Sequence, residues 1–346
     1  MNHKKSFFQM RIAELPFITI FFFIVMCYNL YFMAPFIFTP AGLTNMVLQM
    51  TPFLLLVMGQ AAVMLSGNVD LSIGATMVTS SLIMGALINR GVGLGVAIVV
   101  ALLFCIAIGG INGLLVARCK LMLLPDTTSK IFTLVKLKLP AIVITLVIMK
   151  VVIGLGGVFS DGIRWIPLHD LLRVERSTLL TISFLVFLLS LAVWIVLEVT
   201  KIGKGIYALG NALNVKELPK VAVILNTVKV YMMSALCAGL AGLFIVFRLG
   251  GVSSLMGTGY VELTILAAII GGISLRGGQG IFVGILIGVL YEQVLRTGLN
   301  ILGVDVLFAR TVILMMLVIF AIINTAQSIL IRRAREKVSS QASTTL

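Results

Sequence analysis

Charge is the scarcest commodity in this chain. Only 11% of its 346 residues are Asp, Glu, Lys or Arg, whereas a surface that faces water usually carries about 25%. That shortage excludes a large soluble protein with an ordinary solvated exterior. Histidine is nearly absent, with two residues: His3 is terminal and His169 falls in a loop, so neither is a good general base. The four cysteines, Cys27, Cys105, Cys119 and Cys237, have no CxxC spacing and read as small packing residues; with so few histidines no transition-metal site is expected. Paired carboxylates at glycosidase spacing, a Ser/His/acid or Cys/His arrangement and a GxxxxGK[ST] loop are all missing. No catalytic residue, bound cofactor or metal is therefore expected, and the chain is not read as an enzyme.

What is abundant is apolar length. Hydrophobic residues make up 60% of the chain, and mean hydropathy is +1.18. A membrane-spanning helix needs about 20 such residues. Candidate segments are Pro16–Phe38, Leu43–Leu65, Ile73–Ile88, Val92–Val116, Leu139–Phe159, Leu179–Val199, Val221–Phe247, the short Val261–Ile270, Ile281–Leu295 and Val306–Ile331. The expected fold is an all-α polytopic membrane protein of about ten segments, some discontinuous. The basic start, with Lys4 and Lys5, resembles a signal peptide, but the apolar run after it is too long and lacks a cleavage site, so a retained first helix is expected.

Cations set the orientation. Net charge is +14, but the charges are dispersed between apolar segments with no basic face, which argues against nucleic acid. Lys4, Lys5 and Arg11 precede the first segment. Arg118, Lys120, Lys130, Lys136 and Lys138 follow the fourth, Lys201, Lys204, Lys216 and Lys220 follow the sixth, and Arg332, Arg333, Arg335 and Lys337 close the chain. Ten passes put all of these on one side, which the positive-inside tendency makes the cytoplasm. Residues 1–15 are then a cytoplasmic N-terminal segment, 16–331 the transmembrane domain and 332–346 a basic cytoplasmic tail. The loop Ser160–Thr178 is the exception. It faces outward with Arg164, Arg173 and Arg176, partly offset by Asp161, Asp170 and Glu175.

Two places break helical regularity: SGNVDLSIG at Ser66–Gly74, and GGISLRGGQG at Gly271–Gly280 after a short apolar stretch. Open backbone at membrane depth must be buried in protein or line a wet cavity. Interrupted segments in corresponding parts of two halves suggest an internal pseudo-repeat. Asn68, Asp70, Ser72 and Glu262 are the candidate pathway or gating residues; Gln60, Asn112 and Glu292 are further polar groups in apolar surroundings. For Asp70 the first reading is structural: with Ser72 it can cap the following helix, where negative charge is favoured. Contact with substrate, with a neighbouring subunit or with a gate are the other readings.

The cytoplasmic stretch KIGKGIYALGNALNVKELPK, Lys201–Lys220, mixes polar and apolar residues. Tyr207, Ala208, Leu209 and Leu213 can form one side of a short helix parallel to the membrane. That helix can be a docking element for a soluble partner or a plain interfacial helix.

Several motifs point together to one family. SGNVDLSIGA at Ser66–Ala75 resembles the G-x-x-D-L-S-x-G segment of bacterial ABC-transporter permeases of the ribose and simple-sugar branch. GTGYVELTILAAIIGGISLRGGQG at Gly257–Gly280 is similar to that branch's second signature, and NGLLVARCK at Asn112–Lys120, KLKLPAIVITL at Lys136–Leu146 and RTGLNILGV at Arg296–Val304 resemble its connecting segments. The likeness implies a permease in the cytoplasmic (inner) membrane, paired as a homo- or heterodimer. It also implies a cassette ATPase beneath each copy that uses the ATP, and an extracytoplasmic substrate-binding protein. The implied cargo is a monosaccharide, the furanose quorum signal or a related small polar solute. It implies an ATPase contact at Ile202–Gly210, with Lys204 where an arginine is common, within an ATPase-facing stretch of about 201–220; Lys201, Gly203, Lys204, Tyr207 and Gly210 are the candidates. Two departures stand out: an insertion around Leu121–Val135, making a cytoplasmic elaboration of about 119–138, and NVKELPKVAV after Gly210, where Pro219 stops a continuing helix. The rival reading is an ion-coupled secondary carrier with discontinuous helices; a channel or scaffold ranks third.

Overall fold

The computed structural model describes residues 17–123, 130–160, 165–167, 174–210, 218–305, 307–309, 311–323 and 325–326. The N-terminal segment, residues 124–129 of the insertion, the stretch 211–217 with Leu213 and the basic tail lie outside them.

The helices are α1 (Phe17–Met33), α2 (Pro40–Leu65), α3 (Ile73–Asn89), α4 (Leu94–Leu123), α5 (Lys130–Phe159), α6 (Arg176–Val199), α7 (Lys201–Gly210), α8 (Lys220–Leu249), α9 (Tyr260–Ile270) and α10 (Phe282–Ile301). A further apolar helix, α11, follows at Leu307–Ile323. Among them α2, α4, α5, α6, α8 and α10 are long and apolar enough to cross a membrane. The protein is therefore an all-α polytopic membrane protein with several long apolar helices.

Burial divides these helices into layers. Most of α2 and α8 is enclosed, whereas α4, α5 and α6 turn most of their residues outward. Their outward side chains, such as Val99, Leu103, Val147, Val151, Phe184 and Leu185, are large and apolar. So much exposed hydrocarbon on several helices suits lipid and not water. The central helix α8 packs along α4, α2 and α3, and small residues make that possible. A side chain on Gly113 of α4 would come within 2.5 Å of Val228 Cα, and one on Gly59 of α2 within 3.0 Å of Ser234 Cα. Without a hydrophobic drive between helices in lipid, such close backbone packing is a main source of cohesion.

Both expected breaks are present, and they are built alike. At the end of α2, Gly67 (φ 79°) donates to the Met64 carbonyl and Asn68 to the Val63 carbonyl. At the end of α9, Gly272 (φ 81°) donates to Ile269 and Ile273 to Ala268. This is the left-handed glycine stop that satisfies a helix's last carbonyls. The following helices end the same way, α3 at Gly91 with Val92 bonded to Leu87, and α10 at Gly303 with Val304 bonded to Leu299. The two helix–break–helix units thus share their punctuation.

Two features differ from the sequence expectation. The helices on either side of the insertion reach further into it than anticipated, α4 to Leu123 and α5 back to Lys130. The Leu, Met, Lys and Ile residues there are tolerant helix formers. A two-stranded antiparallel ribbon also appears, β1 (Trp165–Pro167) on β2 (Gly251–Ser253), pairing Ile166 with Val252. Three-residue strands leave too little periodicity to be read in advance.

Candidate functional site

Asp70 sits in the first break with 2% of its surface exposed. Its Oδ1 accepts from the Ser72 backbone N–H (2.8 Å) and the Ser72 hydroxyl (2.7 Å), and its Oδ2 accepts from Ser234 Oγ of α8 (3.1 Å). Asn112 Nδ2 of α4 donates to Ser72 Oγ at 2.8 Å. Thr145 Oγ1 of α5 accepts from the Leu71 N–H at 3.1 Å, and Tyr231 Oη lies 3.4 Å from the Val69 carbonyl. The carboxylate stands just before the first turn of α3, so the positive end of that helix also favours it. Ser72 stands at the N-cap of α3, but its side chain bonds none of that helix's first N–H groups; it turns to Asp70 instead, and the pair forms a polar node joining α3, α4, α5 and α8. Asn68 is also buried and donates to Ser66 Oγ at 2.9 Å.

Just below this node the two breaks meet. A Cβ on Gly277 (φ 85°) would stand 2.7 Å from Gly67 Cα and 2.8 Å from Gly210 Cα. One on Gly210 would run into the Leu65 carbonyl and the Gly278 nitrogen, which are themselves bonded at 2.8 Å. Only residues without side chains can meet three ways at this distance. The third member, Gly210, is the last residue of α7, so that helix is fastened to both breaks at once. Tyr207 Oη adds a bond to the Gly280 carbonyl at 3.2 Å. The Lys120 ammonium, almost fully buried, lies 3.4 Å from the Ser66 carbonyl, where the negative end of α2 attracts a cation.

Helix α7 is two-faced. Ile206 and Leu209 are buried, Leu209 with Val223 and Leu218, while Lys201 and Lys204 are exposed. Gly203 is buried where a side chain would strike the Leu197 carbonyl at the end of α6. Of the residues expected to contact an ATPase, Lys201 and Lys204 therefore face outward, Gly203 and Gly210 act in packing, and Tyr207 does some of both.

At the opposite end of the bundle lies a cleft of about 130 Å³ lined by Gln49, Pro52, Ile245, Arg248, Leu249, Met256, Tyr260 and Arg296. Its residues come from α2, α8, α9, α10 and the loop before α9, and sequence reasoning named neither arginine as a site residue. Arg296 is held firmly. Its Nε is 3.3 Å from Glu292 Oε1, an Nη donates to Gln293 Oε1 at 2.7 Å, and its guanidinium lies 5.7 Å from the Phe53 ring centroid. Glu292 and Gln293 are both essentially inaccessible. Gln293 Nε2 in turn donates to Gln49 Oε1 at 3.1 Å, and Arg248 donates to Asn45 Oδ1 at 3.2 Å. Glu262 is half-buried in the first turn of α9 and does not line the cleft. Among the described residues no three His, Cys, Asp or Glu side chains converge as metal ligands would.

Residues 42–321 match the family model described as branched-chain amino acid transport system / permease component. Among characterised relatives, the ribose import permease protein of Escherichia coli is 31% identical, over 79% of this chain and 82% of its own length. The autoinducer 2 import system permease protein of Photorhabdus luminescens is 30% identical, over 72% and 71% respectively. The fructose import permease protein of Rhizobium meliloti is 31% identical, over 71% and 67%. No solved structure matches the chain. A match spanning the bundle from α2 to α11, with relatives aligned over most of their own length, carries one conclusion: this multi-pass membrane protein belongs to the permease-component family of bacterial transport systems.

Proposed function

We propose that the chain is the membrane-spanning subunit of an ATP-binding-cassette importer in the bacterial inner membrane, forming the path for a monosaccharide or related small polar solute. A separate cassette ATPase supplies the energy. A second permease subunit and an extracytoplasmic binding protein complete the complex. The relatives named for ribose, fructose and autoinducer 2 import favour a sugar-like cargo over the amino acids in the family description.

In this reading α1–α6 and α8–α11 make ten passes with both termini cytoplasmic. The helices α3 and α9 are too short to cross alone, and the breaks beside them complete those passes. The shared glycine stops support an internal pseudo-repeat of α2–α3 with α9–α10, both units running in the same direction. The cleft then opens on the outer side, and α7 lies on the cytoplasmic side.

The observation that carries the proposal is the junction of Gly210 with Gly67 and Gly277. A partner that grips the exposed lysines of α7 gains leverage on both breaks, because a close-packed contact transmits displacement instead of absorbing it. The ion-coupled alternative needs a carboxylate free to exchange an ion, and the Asp70 carboxylate is engaged by three fixed donors. The test is purification from native membranes followed by uptake in proteoliposomes. A cassette ATPase should copurify, the permease alone should hydrolyse no ATP, and ATP-driven uptake should survive a protonophore. Uptake abolished by the protonophore, with no ATPase recovered, would overturn the proposal.

A further inference from the structure

We infer that the cleft between Arg248 and Arg296 is a station for a solute carrying an anionic oxygen group (carboxylate, phosphate or sulfate), such as an acidic sugar. The inference rests on the importer reading and makes it more specific.

The lining is rich in donors and poor in acceptors. Each guanidinium has five N–H groups. The hydrogen bonds of Arg296 to Gln293 and of Arg248 to Asn45, with the ion pair of Arg296 to Glu292, engage only part of that capacity. Gln49 has its carbonyl oxygen engaged by Gln293, which orients its amide NH₂ as a donor. Tyr260 contributes a hydroxyl to the rim. Two guanidinium charges against the one buried carboxylate of Glu292 leave an excess of one positive charge. Such a wall is complementary to oxygens that only accept, and a guanidinium takes a carboxylate or phosphate through two parallel hydrogen bonds.

The rest of the lining, Ile245, Leu249, Met256 and Pro52, is apolar and suits the C–H face of a ring. The support beneath Arg296 also indicates a built site. Gln293 is buried and hydrogen-bonded to Arg296 and Gln49, Glu292 is buried and faces Arg296 as an ion pair, and with the Phe53 ring they hold the guanidinium in place. A cation serving only to anchor a helix end in the headgroup region needs no such scaffold, because it can reach water by itself.

The test needs no knowledge of the natural cargo. Met256→Cys places a thiol in the lining without removing a donor. In membrane vesicles of the full chain, its labelling is followed above the wild-type level with two impermeant methanethiosulfonates, one bearing a sulfonate and one a trimethylammonium. The sulfonate reagent should be favoured by roughly tenfold relative to a free thiol, and Arg248→Gln or Arg296→Gln should each cut that preference several-fold. D-Glucuronate or inorganic phosphate should slow the labelling while D-glucose does not, and Arg296→Gln should remove the protection. Equal protection by D-glucose, no protection by either anion, or a thiol that neither reagent reaches would overturn the inference. Because no ATPase takes part, this result and the copurification result can fail separately.

Discussion

Replacing Asp70 separates a carboxylate that holds the fold from one that carries charge during transport. Three donors converge on it, the Ser72 N–H, the Ser72 hydroxyl and the Ser234 hydroxyl. Hydrogen bonds to a charged group contribute about 1.5–3 kcal/mol each. Asp70→Ala strips all three in a site with almost no access to water, a loss of about 4–9 kcal/mol before relaxation. That is comparable with the whole stability of many proteins, about 5–15 kcal/mol, so this variant should not accumulate in folded form. Asp70→Asn keeps the oxygen that faces Ser72. Its new NH₂ meets Ser234, whose hydroxyl can turn and accept, so the expected cost is only about 1–2 kcal/mol. Thermal unfolding in detergent, alongside ATP-driven uptake in proteoliposomes, measures both effects. Asp70→Asn should lower the melting temperature by a few degrees and keep most of the uptake. A folded Asp70→Asn protein that exchanges solute but no longer accumulates it would refute a purely structural role for this carboxylate. So would an Asp70→Ala protein as stable as Asp70→Asn.

The glycine junction can be tested against a matched control. Gly91 and Gly277 have φ of 83° and 85°, so alanine at either costs about 1–2 kcal/mol in backbone conformation, yet Gly91 has nothing within 4 Å while Gly277 abuts Gly67 and Gly210. Gly91→Ala should leave transport intact, whereas Gly277→Ala should melt earlier and lose uptake per ATP hydrolysed; identical behaviour would count against the junction. On α4, Gly113→Val should push the helix off α8 at a cost of about 1–3 kcal/mol, while Gly110→Val, facing open space, should be nearly neutral by fluorescence-detected thermal stability. Gln60 is buried in α2 with neither amide atom bonded to protein. Gln60→Leu should therefore raise the melting temperature, by up to about 1–3 kcal/mol equivalent, and a fall would show that the amide is in use.

What could be read from the residues alone follows the range of the forces involved. Apolar length marks a membrane helix locally, so the long apolar helices and both interruptions were legible, as was the local pairing of Asp70 with Ser72, which lie two residues apart. The helix at Lys201–Gly210 was legible from its mixed faces. The junction was not, because Gly67, Gly210 and Gly277 are ordinary loop glycines until packing makes them neighbours. The cleft was hidden for the same reason. Arg248 carries no motif and Arg296 only opens RTGLNILGV, and only the folded chain sets Gln49 and Tyr260 beside them. Lys120 counted among the cytoplasmic charges, yet it is drawn inward to the end of α2.

The β1–β2 ribbon carries a mechanical consequence. One strand belongs to the connection after the lipid-facing α5, the other to the connection after the enclosed α8. If the outer shell rocks against the central helix, these few rungs shear before the tightly interlocked interior yields. The ribbon then works as a breakable latch, holding the rim shut at rest and giving way first when the outer shell swings out.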